Sequence, residues 1–402
     1  MKTTKNVQRE KGVEGSLEIY YRRFVRSQVL ALEEYLPGES GLDPEQIKLS
    51  ANESDFGVAP AVYKALKAGL ASNFPVNRYP DSSCSALREA LSHEFGLPAD
   101  WFIAGNGLDD IITMLALTFL NPDDDVVLPA MSFSVYESVT RMQGATPKAI
   151  PMKADLSIDV EAMSEAVDSR TKMLFLCNPN NPTGTIVRTR EFNDLVERLS
   201  TLPQAPLLIV DQAYIDYLDP HEDYLNAINY VKDHHNVVVL RTFSKISALA
   251  GLRVGYAIAH PDLLSYIYRV RQPYTVNALA QLAALTDVRD PSVRAFKDKV
   301  KRSVRSSRKK LEKCLADEGI PYVPSYANFV FAMHNLPYEK LGRMAARFEE
   351  KGVLVRKLHY EKAPAGLRLS IGTPKENARL IEVIRELKPE YDAAAANIPS
   401  SA

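Results

Sequence analysis

Residues 237–256, VVVLRTFSKISALAGLRVGY, carry the arrangement in this chain best suited to covalent chemistry. An apolar, β-branched run from Val237 to Leu240 reads as a buried strand. It ends in a hydroxyl-rich turn, Thr242-Phe243-Ser244-Lys245, and Arg253 follows eight residues after the lysine. A lysine at a strand end forms a Schiff base with an aldehyde once desolvation or neighbouring positive charge depresses its pKa. An arginine and two hydroxyls beside it make a grip for a phosphate.

The elements that must position these groups alternate. Short apolar runs at 101–103, 125–128, 148–151, 173–177, 207–210, 237–240 and 254–259 predict strands. Helical periodicity at 108–120, 132–143, 159–167, 189–200 and 221–232 separates most of them. Strand and helix in turn imply an α/β fold, a mostly parallel sheet covered on both faces, whose ligand sits beyond the carboxyl ends of the strands. The segments after those ends are Ala104-Gly-Asn-Gly-Leu-Asp-Asp, Asn178-Pro-Asn-Asn-Pro-Thr-Gly184, Asp211-Gln-Ala-Tyr214 and the Lys245 turn. A lysine after a strand, or an isolated Asp-x-x-Tyr, is usually structural; convergence on one rim is what gives these residues a role.

An amine and a phosphate grip at one rim suit pyridoxal phosphate, which carries both an aldehyde and a phosphate. Asp211 can keep its pyridine nitrogen protonated, which makes the ring an electron sink. Tyr214 and Asn181 can donate to its phenolate oxygen. The helix beginning after Gly107 offers backbone N–H groups and a favourable dipole to an anion. Gly105-x-Gly107 also opens a dinucleotide fingerprint, but Asp110 stands where its third glycine belongs.

Composition leaves small-molecule chemistry as the main class. The 402 residues are 46% hydrophobic and 25% charged, with a net charge of −1 and an isoelectric point near 6.7, so no global field recruits nucleic acid or a membrane. Three cysteines, Cys84, Cys177 and Cys314, form no CxxC pair, and the seven histidines lack HxxxH or HExxH spacing, which argues against a disulfide scaffold or a metal site. A polar N-terminus and the short apolar stretch Ile111 to Leu120 predict a cytoplasmic protein with no membrane span.

Before the alternating region, residues 17–36 suggest an amphipathic helix or arm, LSANESDFG (49–57) a shaped loop, and 60–72 and 84–95 helices. After it come helices at 279–288 and 292–316; the lysines and arginines of the second read as a solvated face. Then follow PYVPSYANFVFAM, a helix at 338–351, GVLVRKL, GLRLSIG and a helix at 374–387. The expected organisation is an N-terminal arm (1–50) joining a small domain, a large cofactor-binding domain (51–285), a small α+β domain (286–390) and a disordered tail (391–402).

In chain order, YLPGE, LSANES, RYPDSS, GNGLDD, CNPNNPTG, DQAY, TFSKISALAGLRVGY, QPYTVN, SYANF and GLRLSIGT resemble the fold-type I aminotransferases dependent on pyridoxal 5'-phosphate, most closely the histidinol-phosphate aminotransferase group. The resemblance covers roughly residues 25–385. It implies a large domain with a mostly parallel seven-stranded sheet and a smaller α+β domain. Lys245 is then the Schiff-base lysine and proton shuttle, Asp211 the partner of the ring nitrogen, and Tyr214 and Asn181 the partners of the phenolic oxygen. Thr242, Ser244, Arg253 and the Gly107-Leu108-Asp109 backbone hold the phosphate, and Phe133 stacks on the ring. Tyr79 is implied to reach the phosphate of a second copy, hence a homodimer. Arg368 grips the substrate's anionic end, Arg356 and Tyr35 assist on the phosphate side, and Asn52 and Asn328 face the substrate. The partners implied are a small amino donor and a 2-oxo acid.

Three departures surround the substrate mouth and phosphate cup. The family's NENP reads Asn52-Glu-Ser-Asp55, GNGSDE reads GNGLDD with Leu108 in place of a hydroxyl, and PYNVN reads PYTVN with Thr275. They leave Lys245, Asp211 and Arg253 intact and open a competing reading, an enzyme with the same cofactor acting on an aromatic or unusual amino acid by transamination, decarboxylation or elimination. A catalytically idle ligand-binding domain is disfavoured because the lysine and the aspartate are both present.

Overall fold

Seven apolar runs form one sheet in a computed structural model that describes residues 21–30, 32, 46–72, 75–219, 221–224, 226–361 and 363–396. In chain order the strands are β1 (Ile47–Leu49), β2 (Phe102–Gly105), β3 (Asp125–Pro129), β4 (Thr146–Ile150), β5 (Thr171–Cys177), β6 (Leu207–Asp211), β7 (Val237–Thr242) and β8 (Gly255–Ile258). A second group follows: β9 (Tyr322–Val323), β10 (Phe329–Ala332), β11 (Val353–Tyr360) and β12 (Ala363–Ser370). The large sheet runs β2-β8-β7-β6-β5-β3-β4, parallel throughout except for β8, which is antiparallel to both its neighbours. Val237, Val238, Val239 and Leu240 are all buried, because helices cover both faces, and each such side chain contributes about 1.5–3 kcal/mol.

Parallel pairing aligns the carboxyl ends of β5, β6 and β7. Cys177 pairs with Asp211, and Asp211 with Leu240, so the segments that follow leave the sheet at one edge. Helix Leu108–Phe119 begins at that same rim, directly after β2.

The second sheet runs β1-β11-β12-β10-β9, and it has its own apolar core around Phe329, Leu367, Leu369 and helices Pro291–Asp317 and Pro374–Ala396. β1 pairs in parallel with β11, which brings residues 50–52 to the junction between the two sheets. On β11 and β12, Arg356 and Arg368 are direct cross-strand partners.

Two sequence expectations need correction. The helix expected at 221–232 is only a 3-10 turn, Ala227–Tyr230. Here the Asn226 side chain accepts from the Ile228 N–H, and the Tyr224 hydroxyl is held by Gln212 and the Asn178 carbonyl, so side chains claim the segment before a helix can propagate. At the other end, the last helix continues to Ala396, through residues 391–396 that had been assigned to a tail, with Tyr391 buried and bonded to Asn335. Of the arm expected at 17–36, residues 21–30 and 32 are described, with a short helix at Ser27–Leu30; Tyr35 lies outside the described residues. No helix among the described residues is long and apolar enough to cross a membrane.

Candidate active site

Between the rim of the large sheet and the face of the second lies a cavity of about 440 Å³. Lys245 lines it. Its Nζ donates to the Ala51 carbonyl at 3.3 Å and stands 5.6 Å from the centroid of the Tyr214 ring. Desolvation and the Arg368 guanidinium, aided by Arg253 and opposed by Glu53 and Asp109, bring its pKa down to about 8. An amine so poised is available as a nucleophile near neutral pH.

Asp211, the last residue of β6, is buried. Burial pushes its carboxyl pKa up, while two hydrogen bonds pull the other way: Tyr136 donates its hydroxyl to Oδ2 at 2.6 Å, and the Ala213 N–H donates to Oδ1 at 2.9 Å. Tyr136 is fully buried, stacked flat on Phe175 with 4.5 Å between centroids, and edge-on to Phe133 at 5.6 Å. Sequence reasoning missed it. Its only local signal is its place three residues after Phe133, at the start of helix Val135–Met142.

Tyr214 keeps its proton, because burial raises its hydroxyl well above the ordinary phenol range. The hydroxyl accepts from Asn52 Nδ2 at 3.1 Å, and the ring meets Phe329 edge-on at 5.0 Å. Asn181 accepts on Oδ1 from Arg368 Nη1 at 2.7 Å. The turn that presents it is held by Asn180, whose amide donates to the Met131 carbonyl and to Thr183, and by Asn178, which accepts from the Val187 N–H.

The anion end combines backbone and side-chain donors. Gly107 has φ +83°, and a Cβ there would lie 2.6 Å from Arg253 Nη2, so the glycine lets the guanidinium sit against the start of helix Leu108–Phe119. Arg253 itself has φ 55° and pairs with Asp109 at 3.2 Å. Thr242 accepts from the Ser244 N–H at 3.0 Å, and both residues line the cavity with Leu108 and Phe133. A helix N-terminus, a guanidinium and two hydroxyls form a cup for a dianion. Leu108 supplies no side-chain donor to that cup.

On the opposite wall, Arg368 and Arg356 enter from β12 and β11. Arg368 is oriented by Asn181 and by the Ser50 carbonyl, to which Nη2 donates at 2.8 Å.

Four further residues singled out in the sequence take other parts. Asn328 is buried behind the wall, its amide donating to the Asn52 carbonyl at 3.1 Å, so it does not face the cavity. Asn52 lines the cavity, but its side chain is committed to Tyr214 and Ser370. Tyr79 is 80% exposed, stacked on Tyr274 at 4.4 Å and away from the cavity of its own chain. Thr275 donates to Asp110 at 2.9 Å behind the helix start.

The residues fit pyridoxal phosphate: a lysine of lowered pKa, a buried carboxylate with one face toward the cavity, two groups for a phenolic oxygen, and the Gly107–Arg253 cradle for a phosphate. A family model described as aminotransferase class I and II matches residues 44–384. Histidinol-phosphate aminotransferase from Symbiobacterium thermophilum is 36% identical over 371 residues, covering 90% of this chain and 98% of that protein. Its counterpart from Granulibacter bethesdensis is 38% identical over 367 residues, covering 90% and 95%. The solved structure of histidinol-phosphate aminotransferase from Sinorhizobium meliloti in complex with pyridoxal-5'-phosphate shares the fold, with a TM-score of 0.80, 24% identity and coverage of 90% of this chain and 98% of that one. By sequence, by fold and by the groups gathered at the rim, the chain belongs to the class I and II aminotransferases, enzymes that depend on pyridoxal 5'-phosphate.

Proposed function

We propose that this aminotransferase takes its amino group from histidinol phosphate and passes it to 2-oxoglutarate in a ping-pong cycle. The observation that carries this reading is the pairing of Arg356 with Arg368 across β11 and β12 at the cavity wall. A guanidinium from each of two neighbouring strands at one wall suits a bidentate grip on an anion. Histidinol phosphate brings a dianion, and the acceptor brings carboxylates to the same wall. Relatives at 36–38% identity that carry the name of this activity support the choice.

Each residue then has a task. Lys245 would hold the cofactor by its amine, and its Nζ is the group placed in the cavity that would take the proton from the donor's Cα. Bound pyridoxal phosphate supplies the electron sink for the charge left at that carbon. Asp211 would accept from the ring nitrogen and keep it protonated, while Tyr214 and Asn181 would engage the phenolic oxygen. Phe133 covers a ring face. Thr242, Ser244, Arg253 and the N–H groups of Gly107, Leu108 and Asp109 take the phosphate. Arg356 and Arg368 fix the substrate so that the breaking bond stands where Lys245 reaches it. Tyr79, exposed on its own chain, serves the phosphate of a second copy in the homodimer proposed here. The setting proposed is the cytoplasm, and Cys84, Cys177 and Cys314 are all free thiols.

The test is a single-turnover spectral screen of the cofactor-loaded enzyme with histidinol phosphate and with aromatic, acidic and basic amino acids. Rapid conversion of the bound cofactor to its amine form with histidinol phosphate, and slow conversion with the others, is expected. Conversion only with another amino acid would replace the proposed donor and direct attention to Asp55, Leu108 and Thr275.

A further inference from the structure

Three consecutive residues at the junction of the two sheets each hold one member of the site. The Ser50 carbonyl accepts from Arg368, the Ala51 carbonyl accepts from Lys245, and the Asn52 side chain donates to Tyr214. Asn52 is 1% exposed and adopts φ 55°, a backbone region that costs most side chains energy and that glycine enters freely. Asparagine enters that region more readily than most residues, and here its buried amide is hydrogen-bonded on both sides.

Those bonds run in a consistent order. The Asn52 N–H donates to Ser370 Oγ at 2.9 Å, and Ser370 Oγ donates in turn to Asn52 Oδ1 at 2.8 Å. With Oδ1 turned to Ser370, Nδ2 must face Tyr214, and it lies 3.1 Å from the hydroxyl oxygen. A phenol whose oxygen accepts from Asn52 has to send its own proton elsewhere, and Tyr214 lines the cavity. Ser370 lies two residues beyond Arg368 on β12, so both side chains leave the same face of that strand.

We propose that Asn52 is a positioning residue: it aims the Tyr214 hydroxyl proton into the cavity and ties that aim, through Ser370, to the strand that carries Arg368. Asn52 touches neither the reacting atoms nor the substrate's charge. The inference rests on the reading that Tyr214 serves the cofactor's phenolic oxygen. It adds that Tyr214 does so only while Asn52 holds it, and that a shift of the Arg368 strand reaches Tyr214 by this route.

Asn52→Gly separates the side chain from the backbone, since glycine accepts φ 55° without strain. The measurement is a pH titration of the absorbance of the bound cofactor in the wild type, Asn52→Gly, Ser370→Ala, Tyr214→Phe and the double variant Asn52→Gly/Tyr214→Phe. A donor to the phenolic oxygen favours its deprotonated form, so loss of that donor raises the midpoint. Tyr214→Phe is expected to raise it most, Asn52→Gly to raise it by at least half as much, Ser370→Ala by less, and the double variant to match Tyr214→Phe alone. A wild-type midpoint in Asn52→Gly, or additive shifts in the double variant, would overturn the proposal. If Tyr214→Phe itself leaves the midpoint unmoved, the role given to Tyr214 fails instead. Should Asn52→Gly lose cofactor on purification, Asn52→Asp decides: it retains an acceptor for Ser370 but no donor for Tyr214, and must also raise the midpoint.

Discussion

Lys245 has its proton affinity set by opposing neighbours. Desolvation, Arg368 and Arg253 act against the ammonium, Glu53 and Asp109 favour it, and the balance brings its pKa from 10.5 to about 8. The sign of the stability effect follows. In the unfolded chain the amine stays protonated up to its ordinary pKa, so between pH 8 and 10.5 the unfolded state binds more protons, and the stability of the cofactor-free protein rises with pH through that window. Below it the cost is fully present. Lys245→Met removes this term, and the cofactor-free variant is expected to be more stable at pH 7 by about 3 kcal/mol, with the difference closing toward pH 10.5. Urea denaturation at several pH values checks it; a constant offset between the two proteins across the window would contradict the assignment. Lys245, Asp211 and Arg253 were all legible in the sequence because each sits in a short motif at a strand end. Tyr136 and Ser370 were not, for their partners are 75 and 318 residues away, and nothing local marks a contact made only by folding.

Among the elements, the start of helix Leu108–Phe119 shows how little tolerance the phosphate cup has. Gly107 combines φ +83° with a close approach of Arg253, so an added methyl both strains the backbone and displaces the guanidinium. Gly107→Ala is expected to weaken pyridoxal phosphate binding about tenfold to a hundredfold, the worth of one charge-assisted hydrogen bond. Equilibrium dialysis of the cofactor against both proteins measures this, and equal affinities would show that Arg253 does not bind there. The strand and helix alternation that creates this rim was readable from periodicity, and all seven runs became strands of one sheet. Periodicity failed at 221–232, where the side chains of Asn226 and Tyr224 bond to backbone and to the neighbouring rim turns in place of helix. It also gave LSANESDFG only as a shaped loop; its purpose appears once β1 pairs with β11 and places residues 50–52 between the sheets.

For the molecule as a whole, division of labour between two sheets explains the site. The large sheet supplies the lysine, the carboxylate and the phosphate cup; the second supplies Arg356 and Arg368; and the 50–52 segment bonds to both. The motifs in their order disclosed the family, because ten short segments in one sequence constrain a fold far more than any one does. They disclosed the substrate wall less well: Asn328, expected to face the substrate, is spent on holding the Asn52 backbone. The central claim is that the cofactor is bound through Lys245 and no other lysine. Reduction of the cofactor-loaded enzyme with sodium borohydride, followed by proteolysis and peptide mass spectrometry, tests it most directly. A single phosphopyridoxyl group on the peptide containing Lys245, absent from Lys245→Ala, is the predicted result; the group on a different lysine, or no covalent adduct in a fully loaded enzyme, would contradict the account.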